Sequence, residues 1–374
     1  MKIAILTTQY PSDENHYAHT FVHRRSLYFK EQGYDVTVLV PHKSCQPYEF
    51  EGVEVIQDQA SNLCRLLERF DVVYFHLLNL YPQPWKNGAL LYNHIIKNKI
   101  PSAFYMHGSE VQSISKSRNF DHQNNLKQIL RMVYKDVFFM PQMKRIVKKL
   151  HANGTRFITP SHWMHYEAMC QLGYSFEAEI IPNGINTTKF DVNELVDNKK
   201  MLCIRPLNSN KYAVDIAIRT MSFLPSDFTL DIYGKGPKYD EYINLISSLG
   251  LTERVKIHSE FINNNDMPNL MAKYSYFMSP TRMDAQGVSM CEAMSCSRVV
   301  ISSNNTAIPE FIDSGLNGIL GDSPEDLAEN ILNVENDKSQ KSIIAKEARK
   351  SMVNIDNEVT LSKELVILNA LNSK

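Results

Sequence analysis

Apolar residues along the chain gather in short runs rich in β-branched and aromatic side chains, separated by longer stretches where they recur every three or four positions. The first half carries KIAILTT, YDVTVLVP, VEVIQ, DVVYFHLL, PSAFYMHG, RFITPS and EIIPNG. Each run has the length of a buried strand, and the stretches between have the length of amphipathic helices. Strands that alternate with helices imply crossovers and parallel sheets. Around residues 184 to 199 the rhythm breaks into a polar stretch with Gly, Asn and charges, which predicts an interdomain connection. A second series follows: MLCIRPL, FTLDIYGKG, RVKIHSEF, YSYFMSPT, RVVISSN and GILGD. The last segment, VTLSKELVILNALNSK, has helical spacing and no strand after it, so it is expected to close the chain by packing on the first half.

Length agrees with that division, since 374 residues exceed what one hydrophobic core usually fills. The pattern predicts an α/β protein of two Rossmann-like, doubly wound domains facing across a cleft. Residues 1–190 form the first and 191–355 the second, with a helix over 356–374 returning to the first. A formal charge of -1 argues against a chain built mainly to bind nucleic acid. The six cysteines form no CxxC pair and most lie in apolar runs, which predicts buried, reduced thiols in a cytoplasmic protein and no zinc site. MKIAILTTQYP is too short for a signal peptide and reads as a first strand. No stretch approaches the roughly 20 apolar residues that span a bilayer.

Candidate chemistry concentrates in the second half. DAQGVSMCE places Asp284 and Glu292 on either side of Gly287, where a strand should hand over to a helix. The exposed amides of a helix's first turn, near Gly287 and Val288, suit a phosphate. Two carboxylates beside them suit paired sugar hydroxyls, although a helix cap and an ion pair would account for the same acids. Arg205 ends the run MLCIRPL and Lys211 follows six positions later, so two cations fall near one another; each alone reads as a solvated strand end. GKGP, with Gly234, Gly236 and Pro237, follows the next strand and reads as a turn that could line a nucleotide pocket. Neither GxGxxG nor GxxxxGK[ST] occurs, which removes support for hydride transfer and P-loop chemistry.

Taken in order, these residues resemble the retaining glycosyltransferases of family 4, which have the GT-B fold. The resemblance rests on PNG at 182–184, Arg205 and Lys211, GKGP, the block PTRMDAQGVSMCEAM, NNTAIPEFI and the SGLNGIL turn. In the first half it rests on strand order, HGSE at His107 to Glu110, and TPSHW. It implies a hexosyltransferase that needs no metal or other cofactor, and no DxD motif occurs. Arg205 and Lys211 would hold the donor's diphosphate, Asp284 the donor sugar, Glu292 the ribose, and His107 the sugar from the opposite domain. The chain departs from the family pattern where Asp284 replaces a glutamate, where Ile204 replaces a glycine, and where TTQYPSDENHYAH replaces a Gly-Gly pair.

The resemblance further implies transfer from a nucleotide-diphosphate sugar, a UDP-sugar by expectation, to a glycan or lipid-linked acceptor in surface polysaccharide or lipopolysaccharide assembly. A nucleotide-sugar epimerase and a catalytically silent glycan- or protein-binding relative are the rival readings. Residues 127–153 carry seven Lys or Arg against one Asp among apolar residues. That segment suits peripheral contact with an anionic membrane or, equally, a solvated basic helix that Pro141 interrupts. His23, Arg24 and Arg25 suit either an anionic acceptor or a solvated helix face.

Overall fold

The computed structural model describes residues 1–15, 18–117, 126–260 and 262–373, and of Lys116, Ser117 and Lys127 the backbone only. The chain divides into two compact units, one of Met1–Lys116, 126–182 and 360–373, the other of Asn183–Val359. Its architecture is α/β, with one predominantly parallel sheet in each unit.

Eight strands make the sheet of the first unit: β1 (Lys2–Thr7), β2 (Asp35–Pro41), β3 (Tyr48–Phe50), β4 (Val53–Asp58), β5 (Val72–His76), β6 (Ser102–Tyr105), β7 (Arg156–Thr159) and β8 (Glu179–Ile180). Their order is β3-β4-β2-β1-β5-β6-β7-β8. All neighbours run parallel except β3, which pairs antiparallel with β4 at the edge. Strands β1, β2 and β5 are buried along almost their whole length, which is why their sequences read as continuous apolar runs. The terminal helix Asn357–Asn372 lays Leu361, Leu365, Leu368 and Leu371 into this unit's core against Ile3, Val38 and Tyr74. One short edge strand, β3, escapes the periodicity because three residues, one of them Glu49, carry no pattern.

Strands β9 (Lys200–Ile204), β10 (Thr229–Tyr233), β11 (Val255–His258), β12 (Tyr276–Met278), β13 (Val299–Ser303) and β14 (Ile319–Gly321) form the second sheet, in the order β11-β10-β9-β12-β13-β14 and parallel throughout. Strand order reverses beside β1 in one sheet and beside β9 in the other. In open α/β sheets ligands gather at the carboxyl ends of strands at such reversals.

Three expectations need correction. The unit boundary falls at Pro182/Asn183 and not at residue 190, because the polar stretch is bound to the second unit. Ile185 and Phe190 are in its core, Gln286 takes Asn183 through three hydrogen bonds, and the buried Arg298 donates to the carbonyl of Glu194. Pro141 does not interrupt its helix. Leu126–Val133 runs through one π-helical stretch, Tyr134–Phe139, into Met140–Ala152, where Pro141 stands in the first turn. A proline there costs little, since the π-helical turn just before it, in which Met140 N donates to the Lys135 carbonyl, has already left the i to i−4 hydrogen-bond register. Of the cysteines, Cys203, Cys291 and Cys296 are buried, whereas Cys45 and Cys170 are exposed.

Candidate functional site

In the second unit, Arg205 directly continues β9 and the loop holding Asp284 follows β12, so both leave the sheet at its point of strand reversal. The Arg205 guanidinium is buried. Its Nη2 donates to Ser279 Oγ at 2.6 Å and to the Ser279 carbonyl at 3.3 Å, and its Nη1 donates to Asp284 Oδ2 at 3.3 Å. Its Nε–H is buried and meets no acceptor among the described residues. Buried donors without partners are rare in folded proteins and mark places where another group belongs.

Asp284 uses its other oxygen on the helix that follows. Oδ1 accepts from the amide of Gly287 at 2.9 Å and of Gln286 at 3.3 Å, just ahead of helix Val288–Ser295. Gly287 caps that helix with φ +78°, a left-handed conformation that L side chains resist, and a Cβ there would crowd Met290. A cation, a carboxylate and a helix N-terminus therefore meet at one loop. Val288 opens the helix, and Glu292 lies one turn further in, buried, with its own polar contacts.

Lys211 sits in a single 3-10 turn, Asn210–Tyr212, just ahead of the helix Val214–Thr220. Its Nζ lies 4.7 Å from the centre of the Tyr212 ring, against which the Arg205 guanidinium also lies, at 5.8 Å. The carbonyl of Lys211 takes Arg282 N and Thr281 Oγ1, while Arg282 grips Asp215 through both terminal nitrogens at 2.7 Å. These bonds hold the lysine's turn to the loop after β12.

Glycine is required in GKGP by close approach of backbone. A Cβ on Gly234 would fall 2.0 Å from the Arg205 carbonyl, and one on Gly236 would fall 2.2 Å from that of Leu207. The turn seats the segment after β9: Leu207 N donates to the Lys235 carbonyl and Lys238 N to that of Leu207. Pro237 follows the second glycine in the same turn.

In the first unit, His107 follows β6, and its amide is held by the buried Glu110 carboxylate at 2.8 Å. Burial pushes that carboxyl above its ordinary range. The His107 ring stands between Tyr105 (4.4 Å) and Phe21 (4.6 Å), with Nε2 3.1 Å from Nδ1 of His76 at the end of β5. Thr7 pairs with His76 across β1 and β5, and Thr7 Oγ1 meets His19 Nδ1 at 2.8 Å. Burial, reinforced by the charge of Arg25, holds His76 and His107 well below the ordinary histidine range.

Arg25 itself is withdrawn from any acceptor. Only 2% exposed, it grips Glu364 of the terminal helix through Nε and Nη2, donates to the Phe21 carbonyl, and lies 4.4 Å over the Tyr105 ring. Its expected acceptor-binding role is replaced by a structural one, because Glu364 reaches back from 339 residues away, a distance no local pattern encodes. Arg24 is half-buried on the same helix, Thr20–Glu31, and has polar contacts of its own. His23 is buried between the Tyr10 hydroxyl and Glu51. Sequence reasoning also passed over Ser279, Tyr212, His76 and the Asn183–Gln286 pair. Only a carboxyl-end position at the strand reversal would have pointed to Ser279 and His76.

Among the described residues, no three or more His, Cys, Asp or Glu are arranged to hold a metal ion, and no helix is long and apolar enough to cross a membrane.

Comparison with known proteins bears on the family and the fold. The family model for Glycosyltransferase Family 4 matches residues 18–189, and that for Glycosyl transferases group 1 matches residues 198–337. An uncharacterized glycosyltransferase of Methanocaldococcus jannaschii is 26% identical over 141 residues, a match spanning 36% of this chain and only 38% of that relative. The fold is that of HepE from Anabaena, solved with UDP and glucose, at TM-score 0.74 and 17% identity over all of both chains. Sucrose-phosphate synthase from Thermosynechococcus elongatus matches equally well, at TM-score 0.74 and 14% identity over all of both chains. TarM of S. aureus, solved with UDP, fondaparinux and α-GlcNAc-glycerol, matches at TM-score 0.59 and 16% identity over 83% of this chain and 59% of that one. With one family model on each half and two parallel-sheet, Rossmann-like units of GT-B type beneath them, the chain belongs to the family 4, group 1 glycosyltransferases.

Proposed function

We propose that the chain transfers a sugar from a nucleotide-diphosphate donor, a UDP-sugar, to a glycan or lipid-linked acceptor with retention at the anomeric carbon. The observation that carries this reading is the Arg205–Asp284–Gly287 arrangement, in which a cation with an unmet N–H, a carboxylate and a helix N-terminus share one strand reversal. Arg205 and Lys211 neutralise the diphosphate as charge builds on it, and the Val288 amide at the helix N-terminus adds its dipole, while the Gly287 amide stays on Asp284 Oδ1. Glu292 takes the ribose, and Asp284 a sugar hydroxyl through lone pairs that its amide bonds and ion pair leave open. Gly234, Gly236 and Pro237 shape the turn behind Arg205. His107 addresses a sugar oxygen. The donor's own diphosphate assists the incoming hydroxyl on the face it leaves, so positioning and electrostatics supply the rate without a metal or other cofactor.

Two supports come from relatives. HepE and TarM were solved with UDP, and TarM also with saccharide ligands. Peripheral contact with an anionic bilayer at the cytoplasmic face, in surface polysaccharide or lipopolysaccharide assembly, is favoured by a specific surface. Leu126, Leu130 and Phe138 are 72%, 61% and 63% exposed, and Arg131, Arg145, Lys148 and Lys149 are exposed along the same run of helix.

Hydrolysis of a panel of nucleotide sugars, followed by proton NMR of the released sugar, tests the reading. A UDP-sugar consumed with retention of the donor's anomeric configuration is the expected result, with Glu292→Ala losing UDP binding and Arg205→Ala mainly losing turnover. Normal transfer by both variants, or release of the inverted anomer, refutes it. Conversion of the donor's sugar without transfer points to an epimerase.

A further inference from the structure

His76 is fully buried at the carboxyl end of β5, and its Nε2 meets no hydrogen-bond partner among the described residues. Its Nδ1 lies 3.1 Å from Nε2 of His107. A neutral imidazole carries one proton, on one nitrogen or the other. If that proton sat on Nε2 of His76, it would be a buried N–H without an acceptor, the rarest kind of orphan in folded proteins. With the proton on Nδ1, the same atom has an acceptor in hydrogen-bonding range, and only a lone pair is left bare on Nε2.

The choice propagates one ring further. When His76 Nδ1 donates, His107 Nε2 accepts and the His107 proton stands on Nδ1. Neither ring is free to trade roles by turning over: His107 is held between Phe21 and Tyr105, and the Tyr74 ring stands edge-on against His76 at 4.2 Å. Double protonation of either ring is opposed by burial, by the Arg25 cation and by His19, and that of His76 also by His107. His107 Nδ1 takes no hydrogen bond among the described residues and is not an enclosed atom, since His107 is half-buried and, among the described side chains, only His76 Nε2 and Arg205 Nε are buried without partners.

We infer that His76 is a positioning residue that fixes the tautomer of His107, so that His107 presents Nδ1–H as a neutral hydrogen-bond donor to a ligand oxygen and does not act as a general base. The role of His107 toward a sugar oxygen rests on the function proposed above. The tautomer itself does not, and it is measured without substrate. A neutral donor favours an oxygen that gains electron density, such as a sugar hydroxyl polarised during transfer, and it leaves the proton of the incoming hydroxyl to the donor's diphosphate.

The test is long-range proton–nitrogen correlation NMR on the full chain labelled with 15N-histidine, with the His107 ring assigned from its loss in His107→Gln. The wild-type protein is expected to show a protonated Nδ1 and an unprotonated Nε2 for both rings at pH 7. His76→Leu, which removes the donor, should release His107 to mixed tautomers, and His76→Asn, whose amide nitrogen can replace Nδ1, should restore the protonated Nδ1. A protonated Nε2 on His107 in the wild-type protein overturns the inference, as does a His107 ring that titrates with an ordinary histidine midpoint. Since the wild-type spectrum decides the matter, a variant that fails to fold leaves the test intact. Failure of UDP-glucose hydrolysis with the expected spectrum would count against the proposed function and not against this tautomer.

Discussion

Asp284 divides its two oxygens between the amides of the loop that leads into the helix and Arg205, so its charge and its shape can be separated by mutation. Asp284→Asn keeps an oxygen for the Gly287 amide and removes the charge that competes with a diphosphate for Arg205. Titration calorimetry should therefore show UDP bound several-fold more tightly, an effect of about 1 kcal/mol for a partly exposed pair, while sugar transfer falls. Asp284→Ala also loses the hydrogen bonds to the Gln286 and Gly287 amides and should cost about 1 kcal/mol of stability in denaturant unfolding. Weaker UDP binding by Asp284→Asn would mean that the carboxylate orients Arg205 and does not compete for it. The buried Arg25–Glu364 pair behaves differently, because neither partner has water to fall back on. Glu364→Gln should cost about 3–5 kcal/mol, whereas replacing both partners with apolar residues of similar volume should recover most of that loss. Equal losses in the single and double variants would show that packing of the terminal helix, and not the uncompensated charge, sets the cost.

Among the elements, the strands were legible because β-branched runs buried on both faces leave a continuous apolar signature, and each predicted run became a strand. Arg205, Asp284 and Gly287 were legible for a related reason: a strand end, a glycine and a helix start lie within a few residues of one another. What stayed hidden depends on distant partners. Arg25 reads as a surface cation until Glu364 arrives from the last helix, and Tyr212 becomes a shelf for two cations only when its turn is bonded to the loop after β12. The run from Leu126 to Ala152 shows the same limit, since reading Pro141 as a break misses the π-helical turn that admits it. That turn also binds the His107 loop: Lys135 Nζ donates to the Ser109 carbonyl, and Asp136 accepts the amides of Ile114 and Ser115. Burial brings the Lys135 amine down to about 7. Replacing Leu126, Leu130 and Phe138 together with glutamine should abolish sedimentation with vesicles of phosphatidylglycerol in phosphatidylcholine while leaving the Lys135 and Asp136 contacts, and hence UDP-sugar hydrolysis, unchanged. Wild-type binding to those vesicles should weaken with added salt. Salt-independent binding, or equal binding by the triple variant, would remove this helix as the docking element.

At the scale of the whole chain, the first unit gathers four histidines whose neutral forms the fold prefers. Burial brings His19 down to about 4, lowers His23 despite its Glu51 partner, and holds His76 and His107 far down beside Arg25. In the unfolded chain each titrates near the ordinary histidine value of about 6.5. Below that pH the unfolded state binds protons that the folded state refuses, so stability is complete above it and declines as the pH falls toward each folded value. His19 alone accounts for about 2 kcal/mol between pH 6.5 and 5 at 1.4 kcal/mol per unit, and the two rings at the strand ends add to it. Among the described residues, the second unit holds a single histidine, His258, bonded to Asp231 at 2.6 Å. Acid should therefore unfold the first unit before the second. Urea titrations at pH 7 and pH 5, read by hydrogen exchange on peptides from β1 and β5 against β9 and β12, should show the first pair losing protection at lower urea only at the lower pH. His19→Gln should reduce that pH dependence without altering stability at pH 8. If both sheets lose protection together at pH 5, the histidines are not what limits the first unit in acid.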